Sequence, residues 1–229
     1  MMIGWFIMLS STLEVVEGLV AMLTCYLALR FYSLARERLF LALFTSFLIL
    51  GLGLLIHGLA AGVVLLMAPR LRPSTFVLTL RSLALTLSIC EAFAYGLLAY
   101  SYTRYGAPRH GGQTGQGVLP SLMLMPALAA SPTNSMGQEV VVGLVRFHPL
   151  LEGLILAILA YLAFKTISNF LSEKDVNPFL VSFSFLFLAA ARVCFVLAFS
   201  LTILYITAHV LQLLAFLSLL IVLLRVVRA

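Results

Sequence analysis

Apolar residues run almost unbroken through six stretches of this chain, at about 9–29, 40–68, 76–103, 139–164, 179–199 and 201–224. Each is long enough to cross a bilayer as a helix, which takes ~20 residues. A seventh stretch, Val118 to Ala130 (VLPSLMLMPALAA), has 13 residues and carries Pro120 and Pro126. Its length alone is compatible with a spanning, re-entrant or interfacial segment. Its flanks, His110 to Gly117 (HGGQTGQG) and Ser131 to Gln138 (SPTNSMGQ), are rich in Gly, Ser and Pro and read as linkers. The pattern predicts an all-α integral membrane protein.

Composition removes the soluble alternatives. The 229 residues are 63% hydrophobic and 10% charged, against about 45–50% and 25% in an ordinary globular domain. Six or seven crossings fill such a chain and leave no sizeable water-soluble domain. Residues Met1 to Ser11 lack a basic n-region, so they are expected to lead into the first helix and not to form a cleaved signal peptide. Cys25, Cys90 and Cys194 each lie in an apolar run without a C-x-x-C pair, which makes them small hydrophobes.

Charge then sets orientation. The net charge of +6 comes mostly from Arg, but no basic stripe with interleaved aromatics points to nucleic acid. The bases instead cluster in the Arg30–Arg38 loop, at Arg104 and Arg109, in the 165–174 loop, and at Arg225 and Arg228. All four clusters are cytoplasmic only if the chain crosses once between residues 110 and 139. Segment 118–130 then becomes the fourth helix of a seven-helix bundle in the cell membrane, with the N-terminus outside and the C-terminus inside. Arg70 and Arg72 are the exceptions and fall outside. Trp5, Phe6, Tyr100, Tyr102 and Tyr105 are placed for an interfacial belt.

The chain also resembles itself. Glu17 to Arg30 (EGLVAMLTCYLALR) aligns without a gap with Glu152 to Lys165 (EGLILAILAYLAFK). After a loop four residues longer in the second copy, Phe40, Leu41 and Phe44 match Phe179, Leu180 and Phe183, and further on Glu91 meets Gln212, Ala94 meets Ala215 and Arg104 meets Arg225. The expected organisation is a first three-helix repeat at 1–108, a linker with the short fourth helix at 109–138, and a second repeat at 139–229. A single crossing between the copies makes them a parallel 3+1+3 pseudo-repeat. In helix count and orientation this layout resembles the sugar-transporting SWEET family, although the Pro-Gln motif of those triplets is absent.

Polar residues inside the spans carry the candidate chemistry, because each ionisable group costs about 2.5–3.5 kcal/mol to insert and faces the bundle interior. Glu17, Glu91, Glu152 and Gln212 each lie 13 residues before the base that closes their helix, at Arg30, Arg104, Lys165 and Arg225. That is roughly 20 Å above the inner face. Arg192, 13 residues past Phe179, shares the depth. The expected object is a ring of Glu17, Glu91, Glu152, Arg192 and Gln212, with His57 and His209 about one turn further out and Arg81 nearer the outer surface.

Two roles are open to this ring. It can be a network that fixes helix register, Glu152 pairing with Arg192 and Glu17 or Glu91 with His57 or Arg81. Alternatively, it can line a cavity for a polar or ionic ligand near the midplane. A haem b between His57 and His209 is a weaker possibility. His110 and His148 read as solvated, and Gly51, Gly53, Gly58 and Gly62 as close-packing positions on the second helix.

Catalysis finds little support. The only Lys residues, Lys165 and Lys174, lie at a helix edge, which argues against a retinal Schiff base. There is no H-E-x-x-H, G-x-S-x-G or phosphate-loop motif. Glu14 and Glu17, one turn apart, lack a facing His-x-x-x-His for an intramembrane hydrolase. The expectation is a small-molecule or ion carrier without catalytic or metal residues. The alternative is a non-catalytic membrane module, either a sensory input or the anchor subunit of a larger complex. Expected partners are the lipid bilayer and a second copy or a membrane-complex subunit.

Overall fold

The structure, a computed structural model, describes residues 2–105, 149–173, 176–198 and 202–228. Among them six helices form: α1 (Met2–Ala35), α2 (Arg38–Met67), α3 (Pro73–Tyr105), α4 (Pro149–Glu173), α5 (Val176–Leu197) and α6 (Thr202–Arg228). All six are long and apolar enough to cross a membrane, so the chain is a polytopic membrane protein. Segment 118–130, both of its linkers, His110 and His148 lie outside the described residues.

The helices overrun the apolar runs that announce them. The expected Arg30–Arg38 loop shrinks to residues 36–37, because extending a helix satisfies its backbone groups internally where lipid offers no partner. Arg36 stops α1 in the left-handed region, φ 54°, and its N–H donates to Tyr32 O at 2.9 Å. That stop is one glycine usually supplies. The expected 165–174 loop is likewise helical through Glu173. Its polar side chains are satisfied locally: Thr166 Oγ1 donates to Leu162 O at 2.8 Å, and Asn169 donates to Tyr102 of α3 at 3.1 Å. Tyr102 therefore packs between α3 and α4, whereas Tyr100 is exposed beside Arg104.

Each helix packs chiefly against its neighbours in the chain, and α6 closes on α1, so the bundle is a ring in sequence order. Contacts along the seams give the directions. From α1 to α2 they run in opposite senses, with Gly18 against Leu55, Gly51 against Met22 and Glu14 against His57. From α3 to α4 they advance together, Ser88 meeting Glu152 and Thr103 meeting Tyr161. The α1–α6 seam does the same, Ser10 meeting Tyr205, Glu17 meeting His209 and Phe31 packing with Leu223. Helices α1, α3, α4 and α6 are thus parallel. Their starts share one end of the bundle, and Arg30, Arg104, Lys165 and Arg225 lie toward the other. Arg70 and Arg72, in the α2–α3 connection, sit at the end where α3 starts.

Small residues set the closest approaches, though not all of the expected ones. A Cβ on Gly58 would meet Ser11 O at 3.0 Å, and one on Gly51 would meet Met22 Sδ at 3.0 Å. Gly53 faces Cys90, whereas Gly62 faces nothing within 4 Å. Gly18 of α1 is tighter than any of them, with Leu55 Cγ 2.8 Å from its would-be Cβ. The outer faces are apolar, as at Leu52, Ile56, Leu59 and Val63 of α2, which recur at helical spacing and are exposed. In a bilayer that stripe contacts lipid.

The buried face changes character with depth. Toward the basic end it is apolar, including Leu50, Tyr95, Leu98, Leu159 and Phe216, all at most 5% exposed. Phe47 and Phe216 meet edge-on there, 5.9 Å apart, across the bundle. Toward the opposite end the same faces carry Ser11, Glu14, Glu17, His57, Glu91, Glu152, Arg192 and His209, also buried.

Candidate functional site

Helical geometry brings the polar residues together. On α1, Glu14 and Glu17 are one turn apart and share the inward face with Ser11 and Ala21. On α6, Tyr205 and His209 are likewise one turn apart and meet edge-on, with ring centroids 4.8 Å apart, and Phe195 of α5 packs edge-on against both. The Phe195 and Tyr205 rings hold the His209 imidazole in place.

Three buried ionic groups result. His57 Nδ1 lies 2.7 Å from Glu14 Oε2, an imidazole N–H donating to a carboxylate. His209 Nδ1 lies 2.9 Å from Glu17 Oε1 in the same arrangement. Arg192 bridges two acids, Nη1 donating to Glu152 Oε2 at 3.1 Å and Nη2 to Glu91 Oε2. Its guanidinium carbon stands 5.7 Å over the Phe195 ring, a cation–π contact. Ser88 donates to the free oxygen of Glu152 at 3.2 Å, and Ser10 and Tyr205, 2.9 Å apart, both approach Glu14 Oε1. Every described helix contributes, and most links join α1–α2–α3 to α4–α5–α6.

Much of the expected ring is therefore assembled in one place: Glu17, Glu91, Glu152, Arg192, His57 and His209, with Gln212 buried on the wall of the adjoining cavity. The expected Glu152–Arg192 pair is present. The other expected pairings differ. Glu17 takes His209, Glu91 takes Arg192, and His57 takes Glu14, because helix rotation and ring order decide partners that depth alone does not. Arg81 is not part of the network. It is exposed on the outer surface of α3, eight residues past Pro73.

Glu14, Ser88 and Tyr205 belong to the network and were not in the expected ring. Each lies three or four residues from an expected member on the same helix, at Glu17, Glu91 and His209, so helical spacing was the signal that would have found them.

The layer is off-centre. Glu152 is three residues from the start of α4, Arg192 five from the end of α5, and His209 seven from the start of α6. A cavity of about 40 Å³ adjoins it, bordered by Ser11, His57, Arg192, Tyr205, His209 and Gln212. One water needs ~10–15 Å³ by this measure, so the space suits a few waters or one small ion. It is far too small for a haem, and the geometry does not fit that group. Two buried atoms bordering it, Ser11 Oγ and His209 Nε2, have no hydrogen-bond partner among the described residues. Buried polar atoms without a protein partner are the usual mark of water or ligand.

Comparison with protein-family models, with curated proteins and with solved structures returned no match.

Proposed function

We propose that this chain is a small carrier in the cell membrane, with the buried polar layer as its ligand site and two parallel three-helix units as its moving halves. The observation that carries it is the placement of the ionic links. Arg192–Glu91, Glu152–Ser88 and Glu17–His209 all cross between the halves, beside a hydrated-sized cavity. A ligand or proton that alters those links acts directly on the seam that must open. The apolar packing toward the basic end, roughly 20 Å deep, then serves as the closed gate of this state.

Duplication is supported by equivalent contacts. The alignment of Glu17 with Glu152 and Glu91 with Gln212 also pairs His209 with Ser88, so the Glu17–His209 and Glu152–Ser88 bonds correspond across the repeat. Phe31 and Phe40, with centroids 5.3 Å apart, likewise correspond to Phe170 and Phe179, 5.4 Å apart at the same sequence spacing. The four extra residues of the second copy then extend α4 by about one turn.

Orientation follows from helix direction. Because α3 and α4 are parallel, α3 ends and α4 starts at opposite ends of the bundle, which supports the reading of one crossing between the two units. The shared basic end of α1, α3, α4 and α6 favours a cytoplasmic C-terminus and an outside N-terminus.

Two-sided access tests the carrier reading without knowing the ligand. Ser11→Cys, in a background lacking Cys25, Cys90 and Cys194, is reconstituted and exposed to a membrane-impermeant thiol reagent from either side. A carrier gives modification from both sides. Protection from both sides would leave only a static membrane module.

A further inference from the structure

We infer that the ligand taken up by this site is the proton, held by the Glu14–His57 and Glu17–His209 pairs and exchanged with water in the adjoining cavity. The inference rests on the carrier reading of the same site and narrows its ligand.

Charge balance is the first ground. Among the described residues four carboxyl groups, at Glu14, Glu17, Glu91 and Glu152, face one fixed positive charge, Arg192, in a layer where each of these residues is at most 3% exposed. With every carboxyl group ionised and both imidazoles neutral, these residues would hold three uncompensated negative charges, which a membrane interior does not tolerate. Protons on the network are the available remedy. Among the described residues the other titratable groups facing it are Tyr205 of α6 and Tyr95 of α3, phenols that add no positive charge.

Asymmetry between the halves locates the exchangeable protons. Glu91 and Glu152 share the guanidinium of Arg192, a permanent charge fixed by two bonds and the Phe195 ring. Glu14 and Glu17 have no such partner among their described contacts and bond imidazoles instead. Imidazole is the side chain whose charge changes near neutral pH. The Arg192 group is thus the constant part of the layer and the two Glu–His pairs the variable part.

Geometry supplies the route. In each pair Nδ1 bonds the carboxylate, which leaves Nε2 as the atom that gains or loses a proton. Both imidazoles border the cavity, and His209 Nε2 is buried there without a partner. The cavity admits waters and excludes an ordinary metabolite, whose pockets measure about 300–1,000 Å³. No three His, Cys, Asp or Glu side chains among the described residues converge closely enough to hold a metal ion.

Solid-state NMR of the protein labelled with nitrogen-15 at histidine, in lipid bilayers, tests the inference with the proton itself as probe. The His57 and His209 signals, assigned through H57Q and H209Q, are expected to pass from charged to neutral as the pH is raised. E14Q is expected to alter the titration of His57, and E17Q that of His209. If a histidine variant fails to fold, E14Q and E17Q provide the assignment. Modification of Ser11→Cys from both sides combined with imidazoles of constant charge state would overturn the proton assignment and leave the carrier standing. Protection of that cysteine from both sides would remove the carrier reading and this inference with it.

Discussion

Replacing Arg192 by leucine separates the energetic role of the layer from any functional one. Arg192 and its partners Glu91 and Glu152 are each 3% exposed, so the substitution strands two buried carboxylates. Breaking a buried pair by removing one partner costs about 3–5 kcal/mol. Two unpaired charges at about 2.5–3.5 kcal/mol each set a ceiling near 5–7 kcal/mol. The triple variant Arg192→Leu, Glu91→Leu, Glu152→Leu removes the charges together, and apolar replacement of a complete buried network is often neutral or stabilising. It is expected to recover most of the loss, less about 1 kcal/mol for the bond that Ser88 gives up. Reversible unfolding in mixed detergent micelles, followed by circular dichroism, measures both variants. A loss below about 1 kcal/mol for Arg192→Leu, or a triple variant no more stable than the single, would refute the assigned pairing. A stable triple variant that gives no two-sided labelling of a cysteine at Ser11 would show that the links between halves serve movement and not folding.

Three further outcomes follow from single contacts. Gly18→Val is expected to push α1 from α2 against Leu55 and cost about 1–3 kcal/mol. Gly153, which aligns with Gly18 in sequence, faces nothing within 4 Å, so Gly153→Ala is expected to stabilise α4 by up to about 1 kcal/mol; equal effects at both sites in the micelle unfolding assay would contradict the packing. Arg36→Gly relieves the left-handed backbone at the end of α1 and is expected to raise stability by about 1 kcal/mol, with a lower thermal midpoint as the contrary result. Cysteines placed at Glu37 and Ser172, at the basic ends of α1 and α4, are expected to label from the cytoplasmic side alone, whereas labelling from opposite sides would exclude the parallel arrangement.

Much of the site was legible because depth can be counted. Thirteen residues from a closing base located Glu17, Glu91, Glu152 and Gln212 without reference to any contact, and six of the eight expected residues take part in the three ionic groups of one buried layer. Arg81, expected nearer the outer surface and open to pairing with Glu17 or Glu91, is exposed: an arginine near a helix end can be buried with a partner or extend outward, and the string of residues does not distinguish the two. Glu14 was passed over because two acids one turn apart suggested a hydrolytic pair that nothing else supported. His57, the partner that explains Glu14, lies on another helix.

The sequence by itself determined the membrane class, the described helices and the existence of a polar layer, since these depend on quantities local to one segment: apolar length, the 3.6-residue period and distance from a basic end. Only the tertiary structure decided which acid meets which base, that α3 runs parallel to α4, and that the layer lies beside a water-sized cavity. Pairing requires the rotation of each helix about its axis and the order of helices around the ring. Position along a helix is one coordinate, and a binding site needs all three.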